Sequence, residues 1–520
     1  MNGAEALLET SRRLGVEVCF ANPGTTEMPL VAALDRVRLR AVLGLFEGVC
    51  TGAADGYARM AERPAATLLH LGPGFANGLA NLHNARRAGS AVVNWIGDHA
   101  AWHLAADAPL TSDIAALAGT LGWVRTARGA TTLAQDGADA IAAALGPPAG
   151  VASLIIPVDA QGRNATVPSL APLRAERAGP DERAVSAAAR ALAAGSRSGL
   201  LLGGRALRGP ALHAAARIAA HTGCAVLTET FTARHERGAG LPDFPRLPYF
   251  PEQARTTLSG VDRLVLAGAK NPVAFFGYEG QPSRLAHEAC EITTLCSAQD
   301  EAAAALEALA DAAGAPRDAA GAPSRAVVPA RPRPVPASGA LDASALGRTL
   351  AALQPEGAIV VDEAATSGLA WSAHAAGAKP HTALALTGGA IGQGLPCAAG
   401  AALACPGRRV IAFQADGSGL YTLQALWTMA REALDVTVVV CANRVYRILQ
   451  VELARAGVAE PGPAARSLTQ LGPPVLDWVA AARAFGVPGV SVASADALAD
   501  ALGRALAEPG PSLVEAVLTH

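Results

Sequence analysis

Charged residues are scarce in this chain, and the basic ones do not cluster. There are 42 Lys and Arg residues against 44 Asp and Glu residues among 520, which gives a net charge of -2. Proteins that bind nucleic acid normally carry a basic patch or stripe, so the composition excludes nucleic acid as a partner. The only lysines are Lys270 and Lys379. We attribute this to a bias in base composition and draw no function from it.

The chain also lacks any long apolar run. No stretch approaches the roughly 20 residues that a membrane-spanning helix needs. The first residues begin an amphipathic helix, without the basic segment and apolar stretch of a secretory signal. We therefore expect a soluble, cytoplasmic protein with no membrane partner.

The cysteines form no Cys-x-x-Cys pair. They are scattered and lie mostly inside apolar runs, which is typical of small buried hydrophobic residues in a reducing compartment. The eight positions are Cys19, Cys50, Cys224, Cys290, Cys296, Cys397, Cys405 and Cys441.

The length predicts several domains, because about 150 residues per domain is usual. In residues 1–172 helical patterns alternate with short apolar runs at 16–20, 41–46, 66–70, 91–96 and 151–157. This alternation favours a parallel sheet covered by helices. Residues 183–313 repeat it loosely, a Pro, Ala and Arg-rich linker occupies 314–340, and a third unit fills 341–520. The predicted fold class is α/β with three parallel-sheet domains.

Two oxygen-bearing side chains in the third unit follow apolar strands. Asp416 lies in Gln-Ala-Asp-Gly-Ser after a strand at 409–413, and Asn443 follows a strand at 436–441. Strands of this kind deliver both side chains to one edge of a parallel sheet, where they suit Mg2+ bridging to a diphosphate. An isolated Asp-Gly-Ser is more often a plain turn, so the motif needs independent support.

Glu47 provides that support. It stands alone between an apolar strand and a helix whose first turns are small and uncharged as far as Asp55. A carboxyl in such surroundings is desolvated, which favours its protonated form. The alternative is an ordinary first-turn Glu that stabilises the helix N-terminus. The joint presence of Glu47 and the Asp416 motif favours a functional carboxyl.

Together these motifs resemble those of the thiamine diphosphate (ThDP) decarboxylase superfamily, in particular benzoylformate decarboxylases and acetolactate-synthase-like proteins. The resemblance implies a pyrimidine-binding domain at 1–172, a central domain at 183–313 and a diphosphate-binding domain at 341–520. It also implies ThDP and Mg2+ as cofactors, a small 2-keto acid as substrate, and a homodimer or homotetramer with sites shared between subunits. The activity implied is decarboxylation with aldehyde release or carboligation.

The resemblance assigns roles to individual residues. Glu47 would promote the imino tautomer of the aminopyrimidine, and His70 would transfer protons. The Gly389 carbonyl would accept from the aminopyrimidine and Ile391 would hold the cofactor bent. Mg2+ would be bound by Asp416, Asn443 and the Val445 carbonyl. The implied cofactor contacts as a set are Pro23, Asn77, Thr366, Ser367, Gly389, Ile391, Gly417, Ser418 and Tyr446.

The substrate residues implied are Thr25, Tyr278, Ile448 and Leu449. Here the chain departs from benzoylformate decarboxylases. Gly277 stands near the place of their second active-site histidine, and Glu452 stands at an aromatic substrate contact. Ala415 and Ala442 replace a usual Gly and Asn without removing a ligand. Arg444 and Arg447 could attract a carboxylate, although arginines at such a boundary are more often solvated.

Two other functions stay open. An acetolactate-synthase-type carboligase is expected to carry His where this chain has Phe46, and a flavin-binding central domain. Residues 201–209 lack the Gly-x-Gly-x-x-Gly spacing of a dinucleotide site, so FAD is not expected. The other alternative is a catalytically silent homologue that keeps the fold. The presence of Glu47, Asp416 and Asn443 argues against that.

Overall fold

The computed structural model describes residues 1–169, 173, 177–316 and 331–519. The chain forms two compact units. The first contains the described residues of Met1–Ala175, Pro334–His374 and Leu386–His520, and the second those of Glu176–Arg333 and Ala375–Ala385. The predicted boundary at Pro172 and most of the predicted linker, residues 317–330, lie outside the described residues.

The N-terminal segment forms a six-stranded parallel sheet with the order β2-β1-β3-β4-β6-β5. Its strands β4 and β6 are buried along their whole length, as expected for parallel strands covered on both faces. The strands are β1 (Val18–Asn22), β2 (Arg40–Leu43), β3 (Ala65–His70), β4 (Val92–Asp98), β5 (Trp123–Thr126) and β6 (Val151–Pro157). The helices are α1 (Gly3–Arg13), α2 (Met28–Val37), α3 (Glu47–Ala61), α4 (Leu71–Ala88), α5 (Ile114–Gly119), α6 (Ala130–Leu145) and α7 (Val158–Gln161).

The middle segment forms a four-stranded parallel sheet with the order β11-β10-β7-β8. The strands are β7 (Ser198–Leu202), β8 (Ala225–Thr228), β9 (His235–Arg237), β10 (Arg263–Ala267) and β11 (Glu291–Cys296). The helices are α8 (Glu182–Leu192), α9 (Gly209–Thr222), α10 (Pro251–Leu258) and α11 (Ala302–Ala312).

In the C-terminal segment, parallel strands of the first unit pair in the order β16-β17-β15-β14-β12. Strand β13 belongs to the second unit and pairs antiparallel with β9. The strands are β12 (Ile359–Glu363), β13 (His381–Ala385), β14 (Val410–Ala415), β15 (Val436–Ala442), β16 (Gly489–Val492) and β17 (Ser512–Val517). The helices are α12 (Ala343–Leu353), α13 (Gly368–His374), α14 (Gly394–Ala404), α15 (Asp416–Gly419), α16 (Ala425–Arg431), α17 (Arg447–Arg455), α18 (Pro463–Thr469), α19 (Trp478–Ala484) and α20 (Ala495–Ala507).

One local expectation needs correction. The strand expected at 41–46 is shorter, because β2 ends at Leu43 and α3 begins at Glu47. The Gly-rich segment after His70 forms the first turn of α4. In both places the chain passes from a strand into a helix within a few residues, which puts the intervening side chains at the carboxyl edge of the sheet.

Helices α3 and α14 pack almost backbone to backbone within the first unit. A Cβ added at Gly400 would lie 1.9 Å from the Ala53 carbonyl oxygen, and one at Gly56 would lie 2.0 Å from the Cys397 carbonyl oxygen. Real side chains do not tolerate such contacts, so only glycine fits at these positions. A buried hydrogen bond from Gln393 Nε2 to Asp55 at 2.7 Å joins the same two elements.

All the cysteines except Cys405 are buried, and none forms a disulfide. Burial raises the pKa of the Cys50 and Cys397 thiols to about 12, as expected for cysteines that act as small apolar residues. In the described ranges, every helix is too short or too polar to cross a bilayer.

We predict that Gly400→Ala lowers the free energy of unfolding by about 1–3 kcal/mol, because the added methyl group overpacks the contact between α3 and α14. Urea unfolding measures the change. Gly503→Ala is the control, since a Cβ in that part of α20 meets nothing within 4 Å. It should stabilise the protein by about 0.5–1 kcal/mol. Equal unfolding midpoints for the two variants would contradict the packing argument.

Candidate active site

Glu47 is buried at the start of α3, with only 8% of the residue exposed. Phe46 is the N-cap in extended conformation, so the chain turns sharply from β2 into the helix and directs Glu47 inward. Its Oε2 accepts a hydrogen bond from Asn77 Nδ2 at 3.0 Å. In the described parts of the chain, no Arg or Lys forms an ion pair with it. The predicted cofactor contact Asn77 therefore orients the predicted catalytic carboxyl.

His70 ends β3 and pairs with Glu27. Its Nδ1 lies 2.8 Å from Glu27 Oε2, and the Glu27 side chain is fully buried. Glu27 also accepts from the Gly24 N–H at 2.7 Å and from the Thr26 hydroxyl at 2.6 Å. Because an ionised carboxylate only accepts hydrogen bonds, the contact places a proton on Nδ1 and leaves Nε2 for a ligand. The imidazole is 26% exposed, so a ligand can reach it.

Glu27 was missed by the sequence analysis as a site residue. The signal was present, because Glu27 is the lone acid in an otherwise uncharged loop between β1 and α2. The same kind of isolation singled out Glu47. What the sequence did not provide was the pairing with His70, which lies on a different strand.

Glu47 and His70 approach each other across Gly74 in α4. A Cβ added at Gly74 would lie 3.1 Å from Glu47 Oε1 and 3.3 Å from His70 Cβ. The Glu47 carboxyl and the Cβ of His70 thus flank the same point of α4 at the carboxyl edge of the first sheet. The predicted contacts Pro23 and Thr25 lie on the neighbouring loop after β1, where Pro23 is half-buried and Thr25 is exposed.

Asp416 begins α15 directly after β14 and is 3% exposed. Its Oδ2 accepts from the Arg444 N–H at 2.6 Å and its Oδ1 from the Gly417 N–H at 2.9 Å. Asn443 Oδ1 accepts from the Val445 N–H at 3.1 Å. The hydrogen bond to Arg444 brings the loops after β14 and β15 together, as the spacing predicted. Burial raises the pKa of Asp416, while the N–H donors act in the opposite direction.

The other predicted cofactor contacts of the third domain surround this loop pair. Ser367 is buried and Thr366 half-buried just after β12, and Gly417 and Ser418 are buried in α15. The Tyr446 ring covers Gly417, where a Cβ would lie 2.4 Å from the ring. Ser418 Oγ accepts from Gln414 Nε2 at 2.6 Å. Gly389 and Ile391 are half-buried, and Gly389 has φ 78°, a conformation that favours glycine.

Three non-glycine residues beside predicted site residues have a left-handed backbone. They are Leu71 (φ 52°), Ala365 (φ 51°) and Arg444 (φ 59°). Each is adjacent in sequence to a predicted catalytic, diphosphate or metal residue. Such conformations cost about 1–2 kcal/mol each and are found where function requires a particular loop shape.

Only two of the predicted substrate residues lie next to the Asn443 loop in the sequence. Ile448 is half-buried and Leu449 is exposed in α17, immediately after the Asn443 loop. Tyr278 belongs to the second unit and is half-buried there. Arg444 and Arg447 are both exposed. The role of Tyr278 stays a prediction.

The Glu47 group and the Asp416 group are not bonded to each other in one chain. Across the ranges that the structure describes, no hydrogen bond or ion pair joins Glu47 or His70 to Asp416 or Asn443. Among the same described residues, no group of three or more His, Cys, Asp or Glu side chains is close enough together to bind a metal ion.

The oxygen ligands around Asp416 nevertheless suit a divalent cation that also binds a phosphate group. One carboxylate, one amide oxygen and a nearby carbonyl are hard oxygen ligands, as Mg2+ prefers. Such a set leaves coordination positions for diphosphate oxygens and water. It would hold the cation only together with a ligand.

The central segment contains a buried carboxyl at its Gly-rich turn. A Cβ at Gly203 would lie 2.7 Å from Glu229 Oε2, and the Gly204 N–H donates to Glu229 Oε1 at 3.3 Å. Burial raises the pKa of Glu229 to about 7. Glu229 thus takes up an N–H that a nucleotide phosphate would use at this turn.

Comparison with known proteins identifies related chains. The model for the N-terminal TPP binding domain of thiamine pyrophosphate enzymes matches residues 1–117, and the model for their C-terminal TPP binding domain matches residues 365–516. The provisionally named acetolactate synthase large subunit IlvX of Mycobacterium tuberculosis is 49% identical, covering 100% of this chain and 99% of its own. Benzoylformate decarboxylase of Pseudomonas aeruginosa is 30% identical, covering 98% and 97%.

Solved structures confirm the predicted fold class. The ThDP-dependent 4-hydroxybenzoylformate decarboxylase of Rhodococcus jostii RHA1 superposes with a TM-score of 0.83 at 24% identity, over 100% of this chain and 99% of its own. Benzoylformate decarboxylase of Polynucleobacter necessarius gives a TM-score of 0.81 at 23% identity, over 99% and 98%. At these identities the likeness establishes the fold.

We predict that Asp416→Ala abolishes the Mg2+-dependent binding of thiamine diphosphate, because it removes the charged ligand of the cation. Isothermal titration with and without Mg2+ measures binding. Asp500→Ala, at an exposed position of α20, is the control and should bind like the wild type. Cofactor affinity retained by Asp416→Ala would disprove the metal assignment.

Proposed function

Because the chain belongs to the thiamine pyrophosphate enzyme family, we propose that it uses thiamine diphosphate and Mg2+ to decarboxylate a small 2-keto acid, followed by aldehyde release or carboligation. The observation that carries the proposal is that Glu47 and His70 flank Gly74 at the edge of the first sheet. A buried carboxyl and a reachable imidazole at one point can serve different proton transfers.

Glu47 acts on the cofactor. Its buried carboxyl, oriented by Asn77, is suited to hydrogen-bond a ring nitrogen of the aminopyrimidine and exchange a proton with it. Gly389 and Ile391 would hold that ring from the other domain. When bound, thiamine diphosphate supplies an electron sink for the carbon atom that loses CO2.

His70 acts on the substrate side. Its Nδ1 is engaged by Glu27, so Nε2 is the atom that can protonate the reacting carbon after CO2 leaves. The exposed Thr25 hydroxyl lies on the neighbouring loop, where it can hydrogen-bond a substrate oxygen. Apolar groups around the site disfavour the charged carboxylate of the substrate, which assists its loss.

Two classes of enzyme, which differ in the product they release, are represented among the relatives. The 49% identical relative bears an acetolactate synthase name and the 30% identical one a benzoylformate decarboxylase name. Phe46 and the position of Glu229 support a flavin-free decarboxylase, and an acetolactate-synthase-type carboligase is the second candidate.

A reducing compartment such as the cytoplasm suits the buried free thiols.

The active site is shared between two copies of the chain, in a homodimer or a tetramer of dimers. Support comes from the absence, among the described residues, of a hydrogen bond or ion pair between the Glu47 group and the Asp416 group within one chain. One copy would contribute Glu47 and His70, and the other the Asp416 loop with the cation and diphosphate.

Incubation with thiamine diphosphate, Mg2+ and a panel of aliphatic and aromatic 2-keto acids tests the function. We predict CO2 release for at least one acid, with either an aldehyde or a condensed hydroxyketone as second product. Both products must be measured, because their ratio separates decarboxylase from carboligase. Cofactor binding without turnover of any acid would favour the silent homologue.

We predict that Glu47→Gln still binds thiamine diphosphate but exchanges its C2 proton at least about 100-fold more slowly, since the amide accepts hydrogen bonds but cannot take part in proton transfer. NMR of the C2 proton under deuterium exchange measures the rate. Glu62→Gln, at the exposed C-terminal end of α3, is the matched control. A wild-type rate for Glu47→Gln would remove Glu47 from this role.

Mixing inactive Glu47→Gln chains with inactive Asp416→Ala chains should restore part of the activity. In a mixed dimer, one site receives both intact contributions and the other receives both defects. Activity is measured after subunit exchange, with each variant alone as control. A fully active monomer in light scattering would overturn the shared site.

A further inference from the structure

We propose that Glu363 is a positioning residue, whose buried carboxylate fixes the segment 388–394 in the shape that presents Gly389 and Ile391 to the aminopyrimidine. The inference rests on the proposed function, because the pyrimidine contacts are part of it. Among the described residues, no hydrogen bond joins Glu363 to the predicted cation ligands Asp416, Asn443 and Val445.

Glu363 is the last residue of β12 and is 5% exposed. Its Oε1 accepts from the Gly392 N–H at 2.6 Å, and its Oε2 accepts from the Gly394 N–H. Gln414 Nε2 donates to the same Oε2 at 3.3 Å. The two backbone bonds enclose Gln393, so a single carboxylate fixes the chain on both sides of one residue.

Burial of this carboxylate is energetically unfavourable. Among the described residues, no Lys, Arg or His forms an ion pair with Glu363, and burial raises its pKa to about 7. Burial of a charge without a cationic partner is unfavourable. In return, the carboxylate accepts hydrogen bonds from the Gly392 and Gly394 N–H groups, and these bonds fix the shape of the loop.

Other donors hold the carbonyl groups of the same segment on either side of Gly389. His83 Nε2 lies 3.1 Å from the Gly388 oxygen, Asn84 Nδ2 donates to the Ala390 oxygen at 2.7 Å, and Thr422 Oγ1 donates to the Gly392 oxygen at 2.8 Å. In the described parts of the chain, no donor reaches the Gly389 oxygen. The segment thus has its neighbouring carbonyl groups engaged by protein and the Gly389 carbonyl available to a ligand.

The first measurement needs no cofactor. Hydrogen exchange of the apo-protein, followed by mass spectrometry of peptides covering 388–396, reports the protection of the Gly392 and Gly394 amides. Glu363→Gln should speed this exchange by about tenfold or more, because the amide cannot accept both N–H groups as a carboxylate does. Glu356→Gln, at an exposed position just before the same strand, should leave it unchanged.

The second measurement uses the holoenzyme. Glu363→Gln should bind thiamine diphosphate within a few-fold of the wild-type affinity, because the Asp416 loop is intact, while C2 proton exchange and kcat fall by about tenfold or more. Glu363→Asp keeps the charge but is one methylene shorter, and should give intermediate values. This split between binding and exchange is not produced by a general loss of structure, which would lower both.

The outcomes separate the inference from the proposed function. If the wild type binds no thiamine diphosphate, the proposed function fails, whereas the apo-protein exchange still reports on Glu363. If the wild type exchanges the C2 proton and both Glu363 variants match it in loop protection and rate, only the positioning role is overturned. Should Glu363→Gln not fold, the same two measurements on Glu363→Asp decide.

Discussion

The site depends on burying carboxylates without a basic side chain beside them. Glu47, Glu363 and Asp416 are 8%, 5% and 3% exposed, and within the described residues none forms an ion pair. Each is held instead by N–H donors from an amide side chain or the backbone. Burial of a charge on these terms is unfavourable, so the surrounding fold must supply the stability that keeps these groups in place.

Asp55 is a buried acid that, unlike these three, does have a basic partner. Asp55 is fully buried in α3 and receives two hydrogen bonds from Arg59, at 2.8 and 2.6 Å, in addition to one from Gln393. There the chain provides a full counter-charge, and the result is a structural ion pair within α3, which Gln393 links to the start of α14. Where no counter-charge is provided, the carboxyl keeps a capacity for proton exchange or cation binding that a tight ion pair would suppress.

The close packing of α3 on α14 is what connects these groups. Glycine at positions 56 and 400 lets the two helices approach to backbone contact, and α14 begins directly after the segment that Glu363 holds. The same α3 begins at Glu47. A shift of α14 against α3 would therefore change the position of the segment 388–394 relative to Glu47.

The sequence by itself determined the fold class and the chemically unusual residues. Apolar runs alternating with helical patterns identified the parallel sheets, since strands covered on both faces must be apolar. Glu47 and Asp416 were recognisable because an acid isolated among small or apolar residues is rare. Several strands escaped, including β5 and β16, whose mostly half-buried or exposed residues leave no apolar run to detect.

Only the tertiary structure decided the partners of these residues. Glu27 and His70, or Glu363 and Gly394, are separated along the chain and meet because parallel strands bring their carboxyl ends to one edge. Hydrogen bonds across that edge depend on register and on the angle at which each helix leaves its strand. Neither is encoded in local composition, so the sequence identified Glu47 and Asp416 as unusual acids, while the fold determined which groups the buried acids contact.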